Sequence, residues 1–256
     1  EDRDGSCVYQ TVLTATLFFP EEGGQSPDKG TIDGITVLDV QIAKGVITHT
    51  LEQPLETGCV VTGRVDWRHR FSNMQQHTGE HIFSGVVHRR FGLDNVGFHL
   101  SDSVVTMDYN GALSEEQLSE AEWETNRAIA ENLPVRVFYP DGEEKHALDY
   151  RSKKELTGQV RIVEIEGVDL CACCAPHVSH SGEVGLLKII DSMRHRGGTR
   201  LTLLCGEAAL LDYEALHENN AAVSAALSAK RLETGGAIAR VMAEQEERRA
   251  ELTKLK

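Results

Sequence analysis

Residues 10–66 alternate between apolar and polar positions in the way that β-strands do. TVLTATLFF, residues 11–19, predicts one strand, and TIDGITVLDVQIAKGVITHTL predicts short strands separated by turns at Asp33-Gly34 and Lys44-Gly45. Between them lies PEEGGQSPDKG, a loop of glycine, proline and acidic residues. The pattern therefore predicts an N-terminal domain over residues 1–66 that forms a small β-barrel or sandwich.

The pattern changes to a helical spacing after Trp67. Apolar side chains recur at helical intervals in SNMQQHTGEHIFSGVVHRRF, residues 72–91, and Gly92 is suited to end this helix. A second helix is predicted in LSEEQLSEAEWETNRAIAENL, where Ser114 and Gln117 can form a capping box. A hairpin is predicted in VGFHL and SVVTMDY, and further strands in VRVFYP, QVRIVEI, EVGLLKIIDSM and TRLTLLCG. This order predicts an α+β domain, an α/β sandwich, over residues 67–206.

The remaining residues, 207–256, are rich in alanine and charge, with a weak heptad trace interrupted at Gly235-Gly236. They predict a helical arm or connector, through which a dimer could form; the oligomeric state stays open. Because the chain opens on Glu1 and stops within charged helical sequence, we expect it to be a piece of a longer protein with a further C-terminal domain.

Composition narrows the class of protein. Apolar residues make up 40% of the 256 residues, which is enough for a buried core. No apolar run reaches the roughly 18 residues of a membrane span, so no membrane partner is expected. The net charge of −14 argues against non-specific nucleic-acid binding, although basic residues cluster locally. Three of the six cysteines crowd into CACC, which favours metal ligation or reduced thiols over disulfides. We therefore expect a cytoplasmic protein.

The stretch HTGEH places His77 and His81 one helical turn apart, where both imidazoles can reach one Zn²⁺ ion. By itself the pair is equally typical of exposed histidines. Cys173 and His177 in CACCAPH repeat the same spacing, and a thiolate with an imidazole suits zinc. The sequence thus predicts a zinc site formed by His77, His81, Cys173 and His177. The competing candidates are Cys171, Cys174, His180 and His88.

FFPEEGGQSPDKG, HTGEH and CCAPHV, in this order over residues 10 to 205, resemble the editing domain of alanyl-tRNA synthetase. More closely they are similar to the longer free-standing alanyl-tRNA editing proteins, the AlaX family. The resemblance implies the same four metal ligands, and an enzyme that deacylates tRNA(Ala) mischarged with serine or glycine. Its partner would be the tRNA(Ala) acceptor end. The residues implied to bind substrate are Thr16, which helps tell serine from alanine, and Gly23, Gly24 and Gln25, which lie against the terminal adenosine and aminoacyl ester.

Two departures from the family pattern bear on the site. The family's C-G-G-T-H is Cys173-Cys174-Ala175-Pro176-His177 here, which stiffens the loop and removes a backbone donor. Phe19 replaces the usual tyrosine. Two roles for zinc remain open, a structural one and the activation of water with Glu80 as general base; Glu80 is otherwise a solvated helix residue. Basic groups predicted to hold the acceptor stem are Arg151, Lys153 and Lys154, and Arg64, Arg68 and Arg70.

Two other functions fit parts of the sequence. HTGEH is also H-x-x-E-H, the pattern of inverted-zincin metallopeptidases. A zinc-stabilised RNA-binding module that has lost editing through the CCAPH change is the non-enzymatic alternative.

Overall fold

The computed structural model describes residues 7–101, 104–142, 148–152 and 159–255. Within them the chain is a mixed α+β structure with antiparallel sheets, as predicted. It divides into two compact units, Glu1–Ala209 and Leu210–Lys256. No helix of the described residues has the length and hydropathy to cross a membrane.

The first sheet has five strands in the order β1-β4-β3-β2-β5. Their bounds are Tyr9–Val12 (β1), Gly30–Ile32 (β2), Ile35–Ala43 (β3), Val46–Leu51 (β4) and Gly63–Val65 (β5). The predicted turns are confirmed, because Asp33, Gly34, Lys44 and Gly45 all have φ between 49° and 83°, as tight hairpin turns require. A core of Phe18, Ile32, Val37, Val40 and Leu51 fills one face of this sheet.

The predicted barrel is not found among the described strands, because β1 and β5 are the two unpaired edges of an open sheet. The strand predicted over residues 11–19 ends at Val12, so there is too little strand on that side to close a barrel. Beyond it Phe18 packs inward and the chain turns towards the second half of the unit. β5 is only three residues long and leads directly into a helix through Asp66.

The second half combines helices with two antiparallel sheets. The helices are Trp67–Phe91 (α1) and Glu115–Ala130 (α2). One sheet has the order β11-β12-β7-β6 and the other β10-β9-β8. The strands are Asn95–Leu100 (β6), Val105–Tyr109 (β7), Val135–Phe138 (β8), Ile162–Ile165 (β9), Asp169–Ala172 (β10), Leu187–His195 (β11) and Gly198–Cys205 (β12). The predicted hairpin is β6–β7, and the Ser114–Gln117 capping box of α2 is confirmed.

Helix α1 is the centre of this half and is buried on all sides from Gln75 to Val87. It starts at an Asp66 cap, earlier than the predicted Ser72, and ends at the predicted Gly92 in the left-handed conformation. Two glycines let its neighbours approach. A Cβ on Gly79 would lie 2.3 Å from Sγ of Cys205, and one on Gly85 would lie 2.5 Å from the carbonyl oxygen of Val168. Close packing against β10 and β12 therefore depends on these two positions.

Two buried glutamines on α1 are hydrogen-bonded to the backbone of neighbouring segments. The side-chain amide of Gln76 pairs with the backbone of Cys205 as a neighbouring strand would. It donates to the carbonyl of Cys205 and accepts from the N–H of the same residue. Gln75 donates to the carbonyl of Glu183. A helix that buries this many polar groups loses stability unless each is paired, so the pairing points to a functional element.

Two further helices, Gly206–Ala226 (α3) and Thr234–Lys254 (α4), form the C-terminal part that was predicted to be helical. The break between them covers residues 227–233. It does not fall at Gly235-Gly236, which lie in the first turn of α4. The predicted domain limits at residues 66 and 206, and the role as a connector, stay predictions.

Candidate metal centre

The fold brings His77, His81, Cys173 and His177 together. One possible ligand atom from each lies within 4.8 Å of those of the other three. Sγ of Cys173 is 3.5 Å from Nε2 of His77 and 3.4 Å from Nε2 of His177. Helix α1 supplies the two histidines that are one turn apart, and the loop after β10 supplies the other pair. Three imidazoles and one thiolate form a donor set that zinc prefers.

Each histidine is held through its Nδ1 atom, so that its Nε2 atom is left for a metal. Nδ1 of His81 lies 3.0 Å from the Asp169 carboxylate. Nδ1 of His77 lies 2.7 Å from Oε1 of Gln25, and Nδ1 of His177 lies 3.0 Å from Oγ1 of Thr78. For His81 and His77, the carboxylate or amide oxygen accepts the Nδ1 proton and favours the tautomer in which Nε2 carries the lone pair, and the Thr78 hydroxyl orients the ring of His177. This arrangement is typical of a metal centre.

Asp169 is anchored in turn by Arg151. Nε and Nη2 of the guanidinium donate to the two carboxylate oxygens at 2.7 and 2.9 Å, and the Asp169 side chain is only 1% exposed. Burial alone would raise the pKa of the Asp169 carboxyl, but His81 and Arg151 hold it below its usual range. The carboxylate therefore stays ionised and can accept the His81 proton.

The three neighbouring cysteines differ in how readily they ionise. Burial alone would raise the pKa of the Cys173 thiol, but the imidazoles of His77, His177 and His81 hold it well below its usual range. Burial raises the pKa of Cys171, and partial desolvation with the negative charge of Cys173 and Glu22 raises that of Cys174 to about 12. Since a metal binds the thiolate, Cys173 is favoured over both competitors. All six cysteines lie in the described residues and are free.

The other candidate histidines lie elsewhere. His180 is exposed and lies 3.8 Å from Glu183, and His88 is half exposed and pairs with Asp94. Neither belongs to the four-residue group. Burial lowers the pKa of His177 to about 4, which keeps its ring neutral as a ligand must be.

The loop CCAPH keeps its shape without the family's glycines. Nη1 of Arg161 donates to the carbonyls of Cys173 and Ala175 at 2.7 and 2.9 Å, and Oγ1 of Thr78 accepts from the N–H of Val178. This single nitrogen of a half-buried guanidinium holds the two carbonyls on either side of Cys174. The substitution by alanine and proline therefore still lets Cys173 and His177 approach the two histidines of α1.

The GGQ loop crosses from the first sheet to this centre. Gln25 forms a bridge with Leu100 of β6, and the N–H of Leu100 donates to the carbonyl of Gly24. A Cβ on Gly24 would lie 2.5 Å from the carbonyl oxygen of Phe98, so only glycine permits this approach. The Gln25 side chain is fully buried and contacts His77; its Nε2 atom has no hydrogen-bond partner. Gln25 was predicted to bind substrate, and the contact in the structure is with a candidate ligand.

The hydrogen bonds of the Thr16 side chain are made with the first half of the unit and not with the four-residue group. Its Oγ1 accepts from the N–H of Phe18 and lies 2.9 Å from Nε2 of the buried His49. Gly23, the first glycine of the loop, has φ of 64°. A Cβ added to it would lie 3.5 Å from Sγ of Cys174, so Gly23 faces the CCAPH segment.

Glu80 is buried, with 1% of its surface exposed, so the alternative of a solvated helix residue is wrong. Its Oε1 accepts from Oγ of Ser84 and Nδ2 of Asn95, and its Oε2 lies 3.8 Å from Nε2 of His81. Glu80 is therefore a buried carboxylate with one oxygen held by two donors and the other close to a candidate metal ligand.

The basic groups predicted to hold the acceptor stem are largely neutralised. Arg151 is bound to Asp169, Arg70 to Asp28 and Arg68 to Glu207. Lys153 and Lys154 lie outside the described residues, and Arg64 is exposed on β5. Sequence reasoning also missed Asp169, Thr78 and Arg161, because no local spacing links them to the ligands.

Comparison with known proteins shows which proteins this chain resembles in sequence. The chain is 34% identical over 225 residues to the alanyl-tRNA editing protein Aarsd1 of Mus musculus, a match that covers 86% of this chain and 54% of that protein. This chain is homologous to the alanyl-tRNA editing proteins. The resemblance drawn from its motifs is thereby confirmed.

Other relatives agree. The alanyl-tRNA editing protein AlaX-L of Pyrococcus horikoshii is 34% identical over 78% of this chain and 52% of its own length. An alanine–tRNA ligase of Ignicoccus hospitalis is 34% identical over 76% of this chain and 23% of its own length. The family profile described as the threonyl and alanyl tRNA synthetase second additional domain matches residues 160–201. The chain spans about half the length of the editing proteins it matches.

Proposed function

We propose that this chain is a trans-editing aminoacyl-tRNA deacylase, which uses Zn²⁺ and hydrolyses the ester of tRNA(Ala) mischarged with serine or glycine. The observation that carries the proposal is the group His77, His81, Cys173 and His177 with every imidazole oriented by a partner on Nδ1. Homologues named alanyl-tRNA editing proteins support the substrate class. Its place of action is then the cytoplasm, and its partner is the acceptor end of tRNA(Ala).

The residues around the group fit zinc. His77, His81, Cys173 and His177 would hold the ion, with Asp169, Gln25 and Thr78 orienting the imidazoles. Zinc, when bound, supplies a positive charge that can polarise an ester carbonyl or a water molecule, or that only shapes the pocket. The protein residues do the rest: they orient the ligands, exclude bulk water and hold a carboxylate beside the site.

Thr16 is proposed to recognise the hydroxyl of serine as a hydrogen-bond acceptor. Burial lowers the pKa of His49, which favours its neutral form. Nδ1 of His49 lies 3.3 Å from the carbonyl of Thr11, so Nδ1 carries the proton and Nε2 accepts the hydroxyl proton of Thr16. The Thr16 oxygen also accepts from Phe18 N–H and keeps lone-pair capacity for a seryl O–H. Alanine has no such donor, which is how a second sieve separates it from serine.

Glu80 is proposed to be the general base. Replacement by glutamine keeps an oxygen for Ser84 and Asn95 but removes the proton acceptor near His81. We expect kcat of deacylation to fall by about 100-fold or more with unchanged zinc content, since general-base catalysis contributes about 10²–10⁴-fold. Single-turnover deacylation of seryl-tRNA(Ala) measures the effect. An unchanged rate in a variant that binds zinc normally would exclude this role.

Deacylation assays test the function itself. Purified protein is expected to hydrolyse seryl- and glycyl-tRNA(Ala) and to spare alanyl-tRNA(Ala), with activity lost on chelation and restored by zinc. Cleavage of peptides without deacylation would instead favour the metallopeptidase. Zinc content and tRNA binding without turnover would favour the RNA-binding module that has lost editing.

A further inference from the structure

The free positive charge of the first compact unit is concentrated at one hairpin. Most of its described arginines and lysines are neutralised by a carboxylate within 4 Å, as Arg68, Arg70, Arg89, Arg90, Arg151 and Lys188 are. Among the described residues of this unit, those with neither an ion pair nor a side-chain hydrogen bond are Lys44, Arg64, Arg194 and Arg196. Lys44 and Arg64 lie apart on the first sheet. Arg194 and Arg196 are two residues apart where β11 turns into β12.

The turn presents these two side chains to solvent. Arg196 has φ of 47° and Gly197 has φ of 84°, as in a tight hairpin turn, and both Arg194 and Arg196 are exposed. Residues 190–194 of β11 are exposed on both faces, and β11 is also an edge strand of its sheet. The hairpin tip is therefore open to a partner from several directions.

Carboxylates near the tip do not cancel its charge. Asp108 on β7 is shared among several cations. Arg200 donates to both of its oxygens at 2.6 and 2.7 Å, His195 lies 4.0 Å away, and Arg196 interacts with it electrostatically without a hydrogen bond of its own. Asp191, three residues before Arg194, points to the opposite face of the strand. The tip thus carries an excess of positive charge in a protein whose formal net charge is −14.

The hairpin is connected to the proposed active site through a residue next to its tip. Thr199 pairs with Tyr109 on β7, and the Tyr109 hydroxyl lies 2.9 Å from Oγ of Ser84, which donates to Glu80. Arg196 lies three residues before Thr199, in the two-residue turn between β11 and β12, and Arg194 pairs directly with Thr199. An RNA helix whose 3′ end enters the site extends over tens of ångströms of protein surface, so this tip is within its reach.

We propose that the tip of the β11–β12 hairpin, through Arg194 and Arg196, binds the phosphate backbone of the tRNA acceptor arm. This surface rests on the proposed function and differs from the basic groups predicted from the sequence. Two exposed guanidiniums whose N–H groups are not bound to a carboxylate suit phosphate, since each can donate two hydrogen bonds to one phosphate group. The contact is with the backbone, so it positions the RNA and does not read its sequence.

The chain offers a matched control for the test. Lys44-Gly45 at the β3–β4 turn has φ of 52° and 77°, nearly the conformation of Arg196-Gly197. Arg196→Asn and Lys44→Asn each remove one free positive charge, and asparagine tolerates the left-handed conformation in both turns. General loss of charge or damage to a turn should therefore affect the two variants equally.

The experiment measures binding of deacylated tRNA(Ala) and hydrolysis of seryl-tRNA(Ala) over a range of salt concentrations. For Arg196→Asn we expect the dissociation constant and KM for tRNA to rise about 5- to 10-fold and the salt-dependence slope to fall by about 0.7–0.9, with kcat unchanged. Lys44→Asn should resemble the wild type. Hydrolysis of a seryl-CCA trinucleotide, which lacks the stem, should be unaffected by either change.

The hairpin proposal would be overturned if Arg196→Asn and Lys44→Asn weakened tRNA binding equally. It would also be overturned if Arg196→Asn slowed hydrolysis of the seryl-CCA trinucleotide as much as hydrolysis of seryl-tRNA(Ala). Unchanged tRNA binding in the double variant Arg194→Ser with Arg196→Asn would do the same and leave the tip to a protein partner. If the wild type hydrolyses neither substrate, the proposed function fails, whereas the binding measurement still decides the hairpin's role.

Discussion

Replacement of Cys173 by alanine is expected to remove the metal and reduce kcat/KM for seryl-tRNA(Ala) by more than about 100-fold. Cys173 Sγ is the atom to which His77 and His177 both approach, at 3.5 and 3.4 Å. Its pKa lies well below the usual range, so it alone of the three neighbouring cysteines supplies a thiolate readily. Loss of a ligand should exceed the roughly 10–100-fold loss in metal affinity or activity that follows removal of a partner holding a ligand.

The control is Cys174→Ala. This neighbouring thiol is exposed and has a pKa raised to about 12, so its loss should leave zinc content and activity within a few fold of wild type. Zinc can be measured by mass spectrometry of the metal and deacylation by release of serine. If Cys174→Ala loses the metal and Cys173→Ala keeps it, the thiol ligand has been assigned to the wrong residue.

Replacement of Asp169 by asparagine is expected to weaken zinc binding by about 10–100-fold and to destabilise the fold by about 3–5 kcal/mol. Two reasons combine. The carboxylate fixes the His81 tautomer, and it is also the ion-pair partner of Arg151, whose side chain is only 13% exposed. Asparagine leaves that guanidinium without a counter-charge in the interior. Zinc competition with a chromophoric chelator and thermal unfolding measure the two effects separately.

Asp108→Asn is the matched control, because Asp108 also accepts two hydrogen bonds from one arginine, Arg200. That pair lies nearer the surface, with side chains 24% and 39% exposed, so its loss should cost only about 0–1 kcal/mol and leave zinc affinity unchanged. Equal destabilisation by the two substitutions would show that burial of the Asp169–Arg151 pair has no special role.

The metal group illustrates what could be predicted from residue spacing. His77 and His81 follow from the pitch of a helix, and Cys173 and His177 from a short loop after a strand, so both pairs are local signals. The two pairs are separated by 92 residues of sequence. They come together because β10 packs closely against α1 at Gly85, where a side chain would leave no room. The partners on Nδ1 come from three different segments, and no spacing in the sequence indicated Asp169 or Thr78.

The arginines show what residue spacing could not predict. Sequence places Arg68, Arg70 and Arg151 in basic clusters, but only tertiary contacts show that Glu207, Asp28 and Asp169 neutralise them. Arg196 was no more conspicuous in the sequence, and at the hairpin tip it has no ion pair of its own among the described residues, because Arg200 already holds the neighbouring Asp108. Free charge is a property of the surface, so a count of basic residues could not locate it.

The sequence by itself determined the local structure of this protein: the Asp33-Gly34 and Lys44-Gly45 turns, the Ser114 capping box, the Gly92 helix end and the candidate ligands. Each depends on side chains within about one helical turn of each other. The tertiary structure decided the open first sheet, the burial of Glu80, the contact of Gln25 with His77 and the orientation of the imidazoles. These depend on contacts between segments far apart in the chain, and such contacts leave no periodic pattern in the sequence.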